Sequence, residues 1–162
     1  MEFTITLAAI ADLDRICELY AKARDFMARS GNPTQWGNSY PALSMLREDI
    51  ARDHLYVIRQ DGCIRGVFYL DQCEDPTYAV IHNGIWHHDE PYAVIHRIAG
   101  DGSGGIVKRA VDFALTQCRY LRIDTHEDNV VMQRVLQKIG FQFCGTIYVE
   151  DGTPRLAYDL KV

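Results

Sequence analysis

The chain lacks any apolar run that approaches the roughly 20 residues needed to cross a bilayer. The longest run near its start, Leu7 to Ala11, is too short for a membrane span or a signal core, and no basic region precedes it. Cysteine shows no paired pattern: Cys17, Cys63, Cys73, Cys118 and Cys144 are odd in number and widely spaced, with no Cys-x-x-Cys among them. That spacing fits reduced thiols in a cytoplasmic protein. Basic residues form no stripe, and 17 Lys and Arg against 22 Asp and Glu leave a net charge of −5. This balance argues against a nucleic-acid binder. None of His82, His87, His88, His96 and His126 has ligand spacing to a second His, Cys or carboxylate on one regular element, so no metal is expected. His87 and His88 would point apart on a strand. Cys144 reads as a small buried hydrophobe with no base beside it.

What is present is a soluble globular composition, 48% hydrophobic and 24% charged over 162 residues. That length suits one domain, residues 1–162, able to bury a core without staples. Phe3, Ile5 and Leu7 alternate with threonines as a strand; Leu13, Ile16, Cys17 and Tyr20 recur at helical spacing, predicting a helix over 11–28. The helix breaks at Ser30-Gly31-Asn32-Pro33. A loop with Gln35, Trp36 and Tyr40 leads to a short helix carrying Leu43, Leu46 and Ile50, with Pro41 near its first turn. Strands over 55–59 and 63–70 meet at Asp61-Gly62, a hairpin signal. Residues 71–91 are polar and the least legible. A near-continuously apolar strand follows over 92–99, then a helix burying Val107, Ala110, Val111, Ala114 and Cys118. A strand over 121–125, a helix over 128–139 capped by Gly140, and a hairpin of 141–149 with 155–160 close the order.

The most informative stretch is Ile95 to Ala114, where that apolar strand enters a glycine-rich turn and the turn enters the helix. Gly100, Gly102, Gly104 and Gly105 let the backbone approach a ligand, while the unpaired amides of the helix's first turn point outward with its dipole. An anion such as a pyrophosphate is the expected occupant. No lysine followed by Ser or Thr closes the loop, which excludes a P-loop. The glycines do satisfy G-x-G-x-x-G, and Asp124 lies about 20 residues on, so a Rossmann reading stays open. The order β, α, α, β, β, β, α, β, α, β, β counts against it, because antiparallel hairpins are interleaved with helix-crossed strands.

With that order, the chain resembles the GNAT N-acetyltransferase superfamily over essentially its whole length. The glycine turn occupies that family's pyrophosphate position, the run from Asn129 to Phe141 is similar to its N-x-x-A-x-x-L-Y-x-K-x-G-F helix and strand, and the C-terminal hairpin matches. The run LRIDTHEDNVVMQRVLQKIGF followed by CGTIYVEDGTPRLAYDL resembles a group of small bacterial GNAT proteins. The resemblance implies an α/β (α+β) fold whose mixed, mostly antiparallel sheet has about six to seven strands with about four helices, splayed between strands 4 and 5. It also implies an acetyl-CoA cosubstrate, a primary amine acceptor on a small molecule or a protein, and direct transfer in a ternary complex. A homodimer is compatible with it. The pantetheine arm would pair with backbone at the bend of the fourth strand, Arg97, Ile98 and Ala99. The pyrophosphate would rest on the amides of Gly102, Ser103, Gly104, Gly105, Ile106 and Val107. Asn129 would bond the pantetheine, with helix capping as its rival role.

Two departures from the family pattern stand out. Its basic or Gln residue at the head of the loop has no clear counterpart, and Asp101 is expected to point to solvent because it would otherwise repel phosphate. The tyrosine that often protonates the leaving thiolate falls on Leu136. His96, close to the expected acetyl position, is the candidate general base, and Tyr148 in the final hairpin the candidate replacement acid. Trp36, Tyr40 and Trp86 are candidates for the acceptor pocket, against ordinary aromatic packing. The missing tyrosine keeps open an alternative, a non-catalytic GNAT-fold module that binds coenzyme A or a nucleotide as a sensor.

Overall fold

Asp61 and Gly62, at φ 51° and 83°, turn the chain back on itself and join two strands at the hairpin their sequence announces. The computed structural model describes residues 2–162. In chain order the elements are β1 (Phe3–Leu7), α1 (Leu13–Arg29), α2 (Leu43–Ala51), β2 (Leu55–Gln60), β3 (Cys63–Asp71), β4 (Ala93–Gly100), α3 (Ile106–Gln117), β5 (Tyr120–Thr125), α4 (Val130–Ile139), β6 (Gln142–Tyr148) and β7 (Pro154–Lys161). The strands follow the order β1-β2-β3-β4-β5-β7-β6. Among the described residues this gives the expected mixed α/β architecture, with seven strands and four α-helices.

Two compact units are distinguished, Met1–Leu70 with His96–Phe113, and Asp71–Ile95 with Ala114–Val162. In the first, β1 pairs antiparallel with β2 from Phe3↔Gln60 to Leu7↔Tyr56, and β2 pairs antiparallel with β3. Its core is the inward face of both helices against the strands: Ile16, Leu19 and Tyr20 of α1, Leu46 of α2, and Leu55, Val57, Val67 and Ala99. Helix α1 starts at Leu13, two residues later than its periodicity predicts. Ile10–Asp12 form a 3-10 turn instead, stabilised by the Asp12 carboxylate, which accepts from the Ala9 amide at 2.9 Å. Pro41 lies outside α2, whose N-cap is Ala42.

In the second unit β4 and β5 run parallel, in register at Ala93↔Leu121 and Val94↔Arg122. The antiparallel pairings of β1 with β2, β2 with β3, β5 with β7 and β6 with β7 remove the Rossmann alternative. Strand β7 pairs antiparallel with β5 from Tyr120↔Lys161 to Thr125↔Leu156, and forms a hairpin with β6. The polar segment over 71–91 is held against β6 by a bridge between His82 and Thr146. Gly84 is required there, since a Cβ would stand 1.8 Å from the Cys144 carbonyl oxygen. No helix among the described residues is long and apolar enough to cross a membrane.

Candidate active site

Arg97 interrupts β4 with a left-handed backbone, φ 52°. For a residue with a Cβ this conformation costs about 1–2 kcal/mol, so it persists only where neighbours hold it. Here they do: the Arg97 carbonyl accepts from the Tyr20 hydroxyl at 2.7 Å. The Arg97 guanidinium donates to one Asp49 oxygen from Nε at 3.1 Å and Nη2 at 2.9 Å, and to the Tyr40 hydroxyl at 3.2 Å. It also lies 4.3 Å from the centre of the Tyr69 ring. Both partners are nearly buried, with side chains 11% and 10% exposed. Burial pushes the Asp49 carboxyl up against the pull of Arg97. Burial opposes the Arg97 cation, and Tyr40 and Asp49 overcome it to raise its pKa. The result is a bend in β4 fixed from α1, α2 and the loop between them. Asp49 was missed in the sequence, although a carboxylate on the same helical face as Leu46 and Ile50 is a readable signal.

His96 precedes the bend, half-buried, with its ring 5.9 Å from that of Tyr69. Ala99 is buried and Ile98 partly so. Beyond β4, Gly102 and Gly104 take φ values of 88° and 87° with open space where a Cβ would point. Only glycine reaches that conformation freely, and the exposed amides of the turn lead directly into α3. Ile106 is buried beneath Gly66 and Gly100, so it too offers only backbone, and Val107 is half-buried.

Asp101 does not point to solvent as expected. Its side chain is 9% exposed, accepts from the Ser103 amide at 2.9 Å and pairs with Arg65 at 3.1 Å. Burial alone would raise its pKa, but hydrogen bonds from Ser103 and Arg65 hold the carboxyl below its usual range. The carboxylate therefore shapes the turn, and its charge is offset. Arg65 from β3 supplies a cation beside the loop that the loop itself lacks. Arg109 of α3 also lies beside the turn, its Nε 4.0 Å from where a Gly105 Cβ would stand and its guanidinium 3.3 Å from the centre of the Phe3 ring. Among the described residues the Nε atoms of both arginines are buried without a partner. The open glycines and the start of α3 are what an anion would fit.

Trp36 and Tyr40 are brought together near the bend. The Trp36 ring meets Tyr20 edge-on at 5.7 Å and Tyr40 at 6.1 Å, and the Tyr40 carbonyl accepts from Arg24 at 3.2 Å.

The remaining candidates belong to the second unit. Asn129 caps α4, its side-chain oxygen accepting from the Met132 amide at 3.1 Å, which is the rival role foreseen for it. Leu136 is fully buried, and no acid stands in its place. Tyr148 is exposed at the end of β6 with its ring 5.3 Å from His82. Trp86 donates from Nε1 to the Tyr78 carbonyl at 3.0 Å, and the buried Arg122 guanidinium lies 4.3 Å from its ring centre, so it is packed.

The expectation that Cys144 has no base beside it is corrected: its sulfur lies 3.4 Å from His87 Nδ1. The same nitrogen bonds Asp159 at 2.7 Å, and Asp159 also accepts from the His87 amide and the Tyr120 hydroxyl, at 2.9 and 2.8 Å. Burial and the nearby Asp159 push the Cys144 thiol well up. These three side chains could ligate a metal by type, with ligand atoms within 4.8 Å of one another. Each is already engaged in a hydrogen bond, which makes the group a closed structural network. Residues 57 and 72 positions apart in the chain form it, which no local pattern reveals.

Over residues 3–142 the sequence matches the family described as acetyltransferase (GNAT) domain. Among solved structures, an acetyltransferase of the GNAT family from Streptococcus agalactiae is 30% identical, with 99% of this chain and 95% of that one covered and a TM-score of 0.88. A GNAT-family acetyltransferase from Listeria monocytogenes, at 20% identity and a TM-score of 0.73, covers 100% of this chain and 96% of its own. A Salmonella typhimurium protein solved with its cofactor acetyl-CoA shares the fold at 15% identity and a TM-score of 0.61, over 98% and 93%. No curated protein matches the sequence.

Proposed function

The chain belongs to the GNAT acetyltransferase family, and from that premise we propose that it transfers an acetyl group from acetyl-CoA to a primary amine. The observation that carries this reading is the continuity of the left-handed bend at Arg97, the open glycine turn and the start of α3 along one short stretch of chain. The acetyl-CoA bound to the Salmonella relative supports the choice of donor.

In this reading the amides of Gly102, Gly104, Gly105, Ile106 and Val107 receive the pyrophosphate, the Ser103 amide being held by Asp101, whose own charge Arg65 offsets. The β4 backbone at Arg97, Ile98 and Ala99 aligns the pantetheine. Acetyl-CoA supplies an activated acyl group: the acceptor nitrogen forms a bond to the acetyl carbon, the carbon–sulfur bond breaks, and the sulfur keeps that electron pair. His96 accepts the proton that the acceptor ammonium must lose. Tyr148 donates a proton to the departing sulfur, the role for which Leu136 is unsuited. Trp36 and Tyr40 contribute to acceptor binding.

Titration calorimetry with acetyl-CoA, followed by thiol release on a panel of amines, tests the proposal. Saturable binding with turnover is expected; no binding at millimolar ligand overturns it. The buried Leu136 gives a specific ground for a second reading, a sensor that binds coenzyme A or a nucleotide without catalysis. Saturable binding with no turnover on any amine would favour that one.

A further inference from the structure

A cavity of about 230 Å³ lies between α1 and α2, lined by Cys17, Tyr20, Arg24, Pro41, Leu43 and Leu46. It is smaller than the ~300–1,000 Å³ of drug-sized sites, so its occupant is small. The lining is apolar except at Tyr20 and Arg24, and it holds one cation and no carboxylate. Arg24 spends one donor on the Tyr40 carbonyl at 3.2 Å, a tether that holds the guanidinium at the cavity. A guanidinium has about five donors, so a planar fork is left for a ligand. Tyr20 connects this cavity to the bend: its ring lines the wall and its hydroxyl bonds the Arg97 carbonyl at 2.7 Å. The cavity and the bend to which the donor reading brings the acetyl group therefore share Tyr20.

We propose that this cavity receives the acceptor, and that the acceptor is an amine of amino-acid size carrying a carboxylate and an apolar group. The inference rests on the donor reading above. The carboxylate pairs with Arg24 in a desolvated fork, and the apolar group rests on Pro41, Leu43 and Leu46. The carboxylate takes no part in the bond changes; it fixes the amine toward the bend. Polyamines and other cations lacking a carboxylate are rejected by Arg24. The net charge of −5 does not rescue them, because charges more than about 8 Å away are screened at physiological ionic strength.

The test uses product-shaped probes, N-acetyl-L-leucine and its primary amide, titrated into the full chain with and without coenzyme A and followed by NMR. The acid is expected to saturate, with the amide about tenfold weaker, the equivalent of one charge-assisted contact. Arg24→Gln should weaken the acid by the same factor while leaving the affinities for the amide and for acetyl-CoA unchanged. Leu43→Trp, at an exposed position on the lining, should weaken acid and amide alike. Equal binding of acid and amide, indifference of the acid to Arg24→Gln, or turnover best on amines without a carboxylate overturns the proposal. Acid binding without any acetyl-CoA binding supports the pocket and removes the donor reading; acetyl-CoA binding without discrimination of acid from amide does the reverse.

Discussion

Arg97 and Asp49 stand 48 residues apart and meet through two hydrogen bonds to a single carboxylate oxygen, at 3.1 and 2.9 Å. Removing one partner leaves the other charged, buried and unmatched. Asp49→Ala should therefore cost about 3–5 kcal/mol in urea unfolding and weaken acetyl-CoA by loosening the bend. The double variant with Arg97→Met should recover part of that loss. Simple additivity of the two single variants would show that the pair is not coupled.

The turn offers a cleaner position than its glycines. A side chain at Gly104 is strained by its left-handed φ of 87°, whereas Ser103 is exposed and outside that region. Ser103→Glu brings a carboxylate to the phosphate site and should weaken acetyl-CoA roughly tenfold or more, with circular dichroism confirming that the variant is folded. Unchanged affinity in the folded variant would refute the assignment.

For the chemistry, His96→Ala should lower kcat by about 10²–10⁴-fold, the usual contribution of a general base, while acetyl-CoA binding persists. Tyr148→Phe should lower kcat with little change in either KM. Wild-type turnover in both variants would remove these residues from the mechanism.

Asp159 makes an acid-sensitive contribution to folding. Burial alone would raise its pKa, but hydrogen bonds from His87, Tyr120 and Cys144 hold the carboxyl below its ordinary 3.8. A depressed folded value means the stabilisation is complete above the ordinary value and is lost as pH falls through the lower one. Asp159→Asn should cost about 3 kcal/mol at neutral pH and flatten the loss of stability below pH ~4. Parallel stability curves for wild type and variant would sink this.

The thiols should separate by environment. Cys63 and Cys73 are both exposed, yet burial and the neighbouring Asp71 and Asp75 push the Cys73 thiol up to about 12. Iodoacetamide at mildly alkaline pH should label Cys63 first, Cys73 more slowly, and Cys144 only after unfolding. Mass spectrometry of timed samples reads the order, and early modification of Cys144 would contradict the closed network around it.

Much of the fold was legible because local chemistry and tertiary outcome agree. The alternation of Phe3, Ile5 and Leu7 makes β1, Asp61-Gly62 turns a hairpin, and Asn129 with Gly140 brackets α4. The segment over 71–91 was opaque because its conformation is imposed from β6, where Gly84 fits against the Cys144 carbonyl. Asp101 was misjudged for a related reason: the expectation weighed its repulsion of phosphate and had no means to see Arg65 arriving from another strand.

Periodicity, turn residues and the glycine run, read within a few neighbours of each position, determined the order of elements, the glycine turn before α3 and the family. The tertiary structure alone decided which distant side chains share a site: Asp49 under Arg97, Arg65 against Asp101, Arg24 beside the cavity of α1 and α2, and His87 with Cys144 and Asp159. The reason is physical. Backbone preference and apolar spacing act over about one helical turn or one strand pair, whereas a buried charge finds its partner only when packing brings remote segments together and removes the water between them.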